Sequence, residues 1–255
     1  MDDLFRKRIN LPQNEAIKFE KLSTVLAKTA QTIPFENLCI ISKNIEEITK
    51  DNLVKRIIHQ NEGGLCYDLN TLLYLFLMEN GFDVRLVRGI VYNQMEKRWS
   101  YTGKTHVTII LTHDGKEYLV DTGFGGNIPL TPVPLTGEVV TSNNGEFKVE
   151  RTASEHGDYF FNMKLKHKDQ DWKVGYAFDS TYTVVDLAEL NQIQKTIIEH
   201  PDSAFNKRPL VTRLTDQGNA ILTDTSYTEW VDGSMEKRDV DPAEYKRLLK
   251  EQFGL

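Results

Sequence analysis

The stretch Asn61-Glu62-Gly63-Gly64-Leu65-Cys66-Tyr67-Asp68-Leu69-Asn70 sets a cysteine just after a Gly-Gly turn and at the head of a helix-periodic run. Behind it Leu69, Leu72, Leu73 and Phe76 recur at helical spacing, with Leu65 one turn ahead. Leu75 and Leu77 widen the apolar face, so this helix is expected to be buried nearly all round. Asn80-Gly81 is its stop signal. A thiol just inside a helix start is where a thiolate gains from the helix dipole and from amide donors that lack partners. The competing reading of such a cysteine is a small buried hydrophobe. Only two cysteines occur in 255 residues, and the groups that the fold brings to Cys66 decide between the readings.

Upstream, Ile17, Leu22, Val25 and Leu26 predict a helix over Glu15 to Ile33, ended by Pro34. Leu53, Val54, Ile57 and Ile58 predict another over Asp51 to Gln60. Downstream the pattern changes. The runs 84–92, 105–112 and 117–124 are short and rich in β-branched and aromatic residues, as strands are. Asp114-Gly115 is a hairpin turn between the second and third, and Asn144-Gly145 is another further on. The strand-turn rhythm continues to Val185, so roughly Asp83 to Val185 reads as an antiparallel barrel or sandwich. The last part is mixed: a helix from Asp186 to His200 stopped by Pro201, strands around Gln217-Gly218, and a terminal helix opened by Asp241-Pro242-Ala243-Glu244.

Forty percent hydrophobic residues support a sizeable core, and the net charge of −6 with no basic stripe argues against nucleic-acid binding. The Lys-Arg-Ile, Lys-Arg-Pro-Leu and Glu-Lys-Arg-Asp clusters read as solvated surface. No apolar run is long enough to span a membrane. The opening Met1 to Gln13 has no apolar stretch of the secretory kind. Two cysteines then suggest a cytoplasmic protein without disulfides. Cys39 reads as a buried structural thiol. No Cys-x-x-Cys pair and no His/Cys cluster occurs, so no metal site is expected.

A catalytic cysteine needs a base, and the base needs an orienting group. Of the six histidines, His59, His113, His156, His167 and His200 sit in polar or turn contexts. His106 instead opens the apolar strand His-Val-Thr-Ile-Ile-Leu. If Asp114-Gly115 is a two-residue loop, His113 pairs with Lys116, Thr108 with Asp121, and His106 with Gly123. His106 and Asp121 then share a sheet face as diagonal neighbours, roughly 7–8 Å apart at the backbone. An odd loop or a bulge moves one of them to the other face. Asp121 ends an apolar strand, a place where an acid needs a partner. Cys66, His106 and Asp121 therefore make a plausible Cys-His-Asp set, with Asp121 fixing the imidazole and His106 taking the thiol proton.

The chain resembles the arylamine N-acetyltransferases. The resemblance is carried by Ile-Pro-Phe-Glu-Asn-Leu at 33–38, Gly-Gly-Leu-Cys-Tyr-Asp-Leu-Asn at 63–70, Thr-His-Val at 105–107, Val-Asp-Thr-Gly-Phe-Gly-Gly at 120–126 and His-Pro-Asp-Ser-Ala-Phe at 200–205. It implies an α+β chain in three parts. These are a helical bundle over 1–83 carrying the nucleophile, an antiparallel β-barrel over 84–185 carrying His106 and Asp121, and an interdomain helix with an α/β lid over 186–255. It implies a cysteine-protease-like Cys66-His106-Asp121 triad and a ping-pong cycle. Cys66 takes an acetyl group from acetyl-CoA, and an arylamine, arylhydrazine or N-hydroxyarylamine removes it. Phe124, Gly125 and Gly126 match the family's glycine-rich loop that approaches the acyl-CoA, and Ser203 and Phe205 match its motif near the bound cofactor. Lys207 and Arg208 are placed to meet CoA phosphates, with plain surface as the competing reading. For the glycines, a tight turn into Ile128-Pro129 is an equal reading. Phe35, Phe124 and Val91 are assigned to the acceptor pocket. Two departures stand out. The family usually has arginine at position 62, paired with the acid at 36, and this chain has Glu62 opposite Glu36. Many members have Glu or Gln at 68, where this chain has Asp. Two glutamates make no ion pair, so another base must serve or one acid must be solvated. Alternatives are an amide synthase or another acyl-CoA acyltransferase of the same family, a papain- or transglutaminase-like cysteine hydrolase, and a non-catalytic CoA-binding or thiol-sensing protein. The sequence does not specify the oligomeric state.

Overall fold

The computed structural model describes residues 1–255, and the first third is helical. It holds α1 (Asp2–Arg8), α2 (Leu22–Thr32), the two-residue strand β1 (Phe35–Glu36), α3 (Leu38–Ile41), α4 (Lys50–Leu53) and α5 (Cys66–Glu79). A wider, π-helical turn over Val54–His59 continues α4. Leu72, Leu73, Phe76 and Leu77 of α5 are buried, each worth about 2 kcal/mol by area removed from water.

One helix expectation needs correction, and one helix had no expectation to meet. α2 begins at Leu22, not Glu15, and is preceded by a single 3₁₀ turn over Phe19–Lys21. Between Pro12 and Phe19 the chain offers little besides Ile17 to bury, so no stripe holds a helix there. α1, which the sequence reading did not assign, forms because its ends suit the dipole. Asp2 and Asp3 sit in its first turn and Arg6, Lys7 and Arg8 in its last. Arg6 also pairs with Asp2 at 2.8 Å, and Phe5 and Ile9 enter the core.

The middle of the chain forms β2 (Asp83–Asn93), β3 (Arg98–Trp99), β4 (His106–His113), β5 (Lys116–Val120), β6 (Val133–Pro134), β7 (Val140–Ser142), β8 (Gly145–Ser154), β9 (Gly157–Leu165) and β10 (Lys173–Phe178). The antiparallel order is β6-β5-β4-β2-β10-β9-β8-β7, with β3 pairing β2. Val133 and Leu135 pack with Phe147 and Val149 of β8, so the sheet nearly closes into a barrel. The hairpin register is the expected one: His113 pairs with Lys116 and Ile109 with Val120. Side chains alternate along β4. Val107, Ile109 and Leu111 join the core of the helices, while Ile110 joins the barrel interior with Phe161, Tyr176 and Phe178.

The last part holds α6 (Leu187–Glu199), β11 (Leu210–Leu214), β12 (Gly218–Thr223), β13 (Ser226–Val231), β14 (Ser234–Asp239) and α7 (Pro242–Leu248). Asp186 caps α6 by accepting the Glu189 N–H, and Asp241 caps α7. The Glu-Lys-Arg-Asp cluster is exposed, but it lies on an edge strand, β14, whose charges guard an open edge. β1 adds to this sheet beside β11, so residues from the first third complete a sheet of the last.

Asn37 secures that junction. Its Nδ2 donates to the Phe205 and Arg208 carbonyls, each at 2.8 Å, and its Oδ1 accepts the Leu210 N–H at 2.7 Å. It is fully buried. Replacing Asn37 with alanine leaves three backbone groups without partners, and we expect a loss of about 2–3 kcal/mol. Urea unfolding measures this, and a loss below about 0.5 kcal/mol would contradict the tie.

Candidate active site

Cys66 is the first residue of α5 and is half-buried. Leu65 is the N-cap residue, and its N–H donates to Asp68 Oδ2 at 3.0 Å, which closes the first turn. The Cys66 thiol donates to the Thr105 carbonyl at 3.6 Å, and Cys66 and His106 line the same cleft. The opposite wall is the chain just after β5. A Cβ on Gly123 would sit 2.6 Å from Cys66 Cα and 2.7 Å from Asn70 Nδ2, so only glycine lets that backbone pass.

His106 opens β4 and Asp121 follows the end of β5, both buried. His106 Nε2 lies 2.8 Å from Asp121 Oδ2, which leaves Nδ1 as the nitrogen for the thiol. Asp121 accepts three further bonds. Asn70 Nδ2 donates to Oδ1 at 2.8 Å, the Gly123 N–H donates to Oδ1 at 2.7 Å, and the Tyr176 hydroxyl donates to Oδ2 at 2.8 Å. Burial pushes the Asp121 carboxyl up, but the His106 charge and these donors outweigh it and lower its pKa. Burial likewise pushes the His106 imidazole down. The Asp121 charge and its hydrogen bond, followed by the neighbouring Cys66, reverse this and raise it to about 10. A histidine so held is an imidazolium at neutral pH, placed to pair with a thiolate.

The array opens into a cleft of about 380 Å³. Phe35, Val91, Phe124, Ser203 and Phe205 line it together with Cys66 and His106. The Phe124 ring stands edge-on to His106 at 5.2 Å, and Phe35 packs edge-on to Phe205 at 5.7 Å. Gly125 and Gly126 do not line this cleft. Gly125 adopts φ +59° and faces Phe35 and Thr212, while Gly126 packs on Asn219. Lys207 is exposed and outside the cleft, and Arg208 is occupied by Asp224 at 2.7 Å. The sequence reading did not assign Asn70, Tyr176 or Thr105 to the site. Asn70 had a signal, since it lies one turn after Cys66 on the same helix face.

The missing ion pair at position 62 is resolved by Arg56. Its Lys-Arg-Ile cluster was expected to be solvated, yet Arg56 is buried, and its Nε and Nη1 lie 3.1 Å from Glu62 and 3.3 Å from Asp68. Glu36 is not solvated either. Its Oε1 accepts the Gly63 N–H at 3.2 Å and its Oε2 accepts the Leu38 N–H. Burial raises the Glu36 carboxyl to about 7 against these amides and Arg56. Burial also raises Asp68.

A protein-family model described as N-acetyltransferase matches residues 18–255. The structure superposes on arylamine N-acetyltransferase C from Bacillus anthracis with a TM-score of 0.94 at 40% identity, covering 99% of this chain and 97% of that one. An arylamine N-acetyltransferase from Bacillus cereus, described as having a unique Cys-His-Glu catalytic triad, matches with a TM-score of 0.94 at 41% identity, covering 100% and 98%. An uncharacterized acetyltransferase of Bacillus subtilis is 36% identical over 94% of this chain and 93% of its own length. Fold and matched length together define an acyltransferase. The chain belongs to the arylamine N-acetyltransferase family.

The Glu36 environment predicts a pH effect. A carboxyl raised from 4.5 to about 7 binds its proton more tightly in the folded chain, so its contribution to stability falls as pH rises through that window. The total is on the order of 3 kcal/mol. Glu36→Gln should therefore gain stability relative to the parent between pH 5 and 8, as read by urea unfolding. Parallel profiles would contradict the assignment.

Proposed function

We propose that this protein transfers an acetyl group from acetyl-CoA to an arylamine, arylhydrazine or N-hydroxyarylamine through an acetyl-Cys66 intermediate. The observation that carries this reading is the Cys66-His106-Asp121 array opening into an aromatic-lined cleft. In the resting pair His106 already holds the proton of Cys66, and the thiolate attacks the thioester carbonyl. The developing oxyanion is stabilised by first-turn amides of α5, which a helix start leaves without intrahelical acceptors. The C–S bond to CoA breaks, and His106 returns a proton to the departing thiolate.

The acceptor nitrogen then attacks acetyl-Cys66. Aromatic amines are neutral near pH 7 and keep a lone pair for this step. His106 takes the proton the nitrogen loses, the new C–N bond forms, and Cys66 leaves as a thiolate. Asp121 keeps the imidazole aimed throughout, and Tyr176 and Asn70 keep Asp121 aimed. Phe35, Val91, Phe124 and Phe205 give the acceptor ring an apolar wall. Ser203 and Phe205 line the same cleft as Cys66 and face the acyl donor in this reading. Gly125, Gly126 and Lys207, which lie off the cleft, have no direct part in donor binding in it.

Incubation with acetyl-CoA followed by intact mass measurement tests this. One acetyl adduct is expected, absent in Cys66→Ala and discharged by an aromatic amine or hydrazide. His106→Gln and Asp121→Asn should stay folded and lose at least about a hundredfold in rate. No adduct on the native protein would overturn the reading. Acetyl-CoA consumption without transfer to any amine would point to hydrolysis instead.

A further inference from the structure

Beneath the Cys66 loop the one guanidinium of Arg56 faces two buried carboxyls, Glu36 and Asp68, and the half-exposed Glu62. Arg56 sits on the π-helical turn Val54–His59, and the loop folds back on that turn twice. The Glu62 N–H donates to the Arg56 carbonyl at 3.0 Å, and the Arg56 Nε pairs with the Glu62 side chain at 3.1 Å. Asp68 is the bridge to the thiol. Its Oδ1 faces Arg56 Nη1 at 3.3 Å, while its Oδ2 accepts the N–H of Leu65, the residue before Cys66, at 3.0 Å. A Cβ on Gly64 would come 2.5 Å from Asp68 Cβ, so the loop is pressed against this carboxylate.

We propose that Arg56 is a positioning residue for Cys66: by holding Asp68, and through it the Leu65 amide, it fixes the first turn of α5 and the aim of the thiol at His106. Asp68 is fully buried, and a buried carboxylate without its cation takes a proton or moves toward water. Either event weakens its hold on the Leu65 N–H, and Cys66 is the next residue. The two carboxylates meet different nitrogens of one planar group, a geometry that a lysine ammonium does not reproduce. Position 62 borders the same carboxylates, since the Glu62 charge acts on both Glu36 and Asp68. A guanidinium placed at 62 therefore reaches the same cluster from the loop side.

The test compares the native protein, Arg56→Lys, and the double variant Arg56→Lys/Glu62→Arg. It reads the second-order rate of iodoacetamide alkylation at Cys66, located by peptide mass, together with kcat and KM for acetyl transfer. Arg56→Lys should alkylate about tenfold more slowly, with kcat reduced by a similar factor and KM for the amine unchanged. Adding Glu62→Arg should restore both to within about threefold. Where Arg56→Lys alone does not fold, the folded double variant must itself alkylate within about threefold of the native rate, and a slower one overturns the proposal. A purely structural arginine would lower the melting temperature and leave the alkylation rate alone, which would overturn the proposal. So would a double variant that stays as slow as the single one or fails to fold. The kinetic arm rests on the acetyl-transfer reading. The alkylation arm does not, so a native protein without acetyl turnover leaves the positioning role independently readable.

Discussion

A carboxylate with no access to water must be neutralised where it sits, and Asp121 is such a group. Its four donors come from different parts of the chain: Asn70 from α5, His106 from β4, Tyr176 from β10, and the Gly123 amide from the loop after β5. Satisfying this one side chain locks the helix that begins at Cys66 to two strands of the barrel. It also decides the charge of His106, because burial alone would keep that imidazole neutral. The geometry of Cys66 follows, since Asn70 lies one turn along its helix and Gly123 lies against its Cα. Asn70 binds the Thr122 N–H as well, so helix and loop stay in register on both sides of the acid.

Much of this was legible in the chain. The Asp114-Gly115 turn determines how β4 and β5 pair, and with a side-chain period of two it places His106 and Asp121 on a common face. The Gly-Gly-Leu-Cys run announces a helix start, and α5 begins at Cys66. Tyr176 was not readable. A shift in the pairing of β10 with β9 falls between Val174 and Tyr176, and no turn signal encodes which residue then faces β4. The surroundings of Gly125 and Gly126 were not readable either: Gly125 lies against Phe35 and Thr212 and Gly126 against Asn219, contacts that no local sequence signal encodes.

Arg56 shows a different limit. Its stripe of Leu53, Ile57 and Ile58 marked a buried face, yet a cation between them was read as surface. The π-helical turn shifts the register so that Arg56, Ile57 and Ile58 are all buried. The oddity of Glu62 and the shorter acid at 68 then have one cause. The guanidinium approaches the Cys66 loop from the preceding helix, and both acids turn to meet it. With three carboxylates and one arginine, Glu36 pairs only with backbone amides; burial raises its carboxyl, and these amides and the more distant Arg56 charge do not offset it.

The central claim is that Asp121 holds His106 as an imidazolium beside Cys66. Nitrogen-15 NMR titration of the His106 ring reads this directly. The account predicts that the ring stays doubly protonated through pH 8 and deprotonates near pH 10. In Asp121→Asn, burial acts unopposed, and the transition should fall below about 6.5, the value of a free histidine. A native His106 that titrates near that free value, or one unmoved by Asp121→Asn, would contradict it.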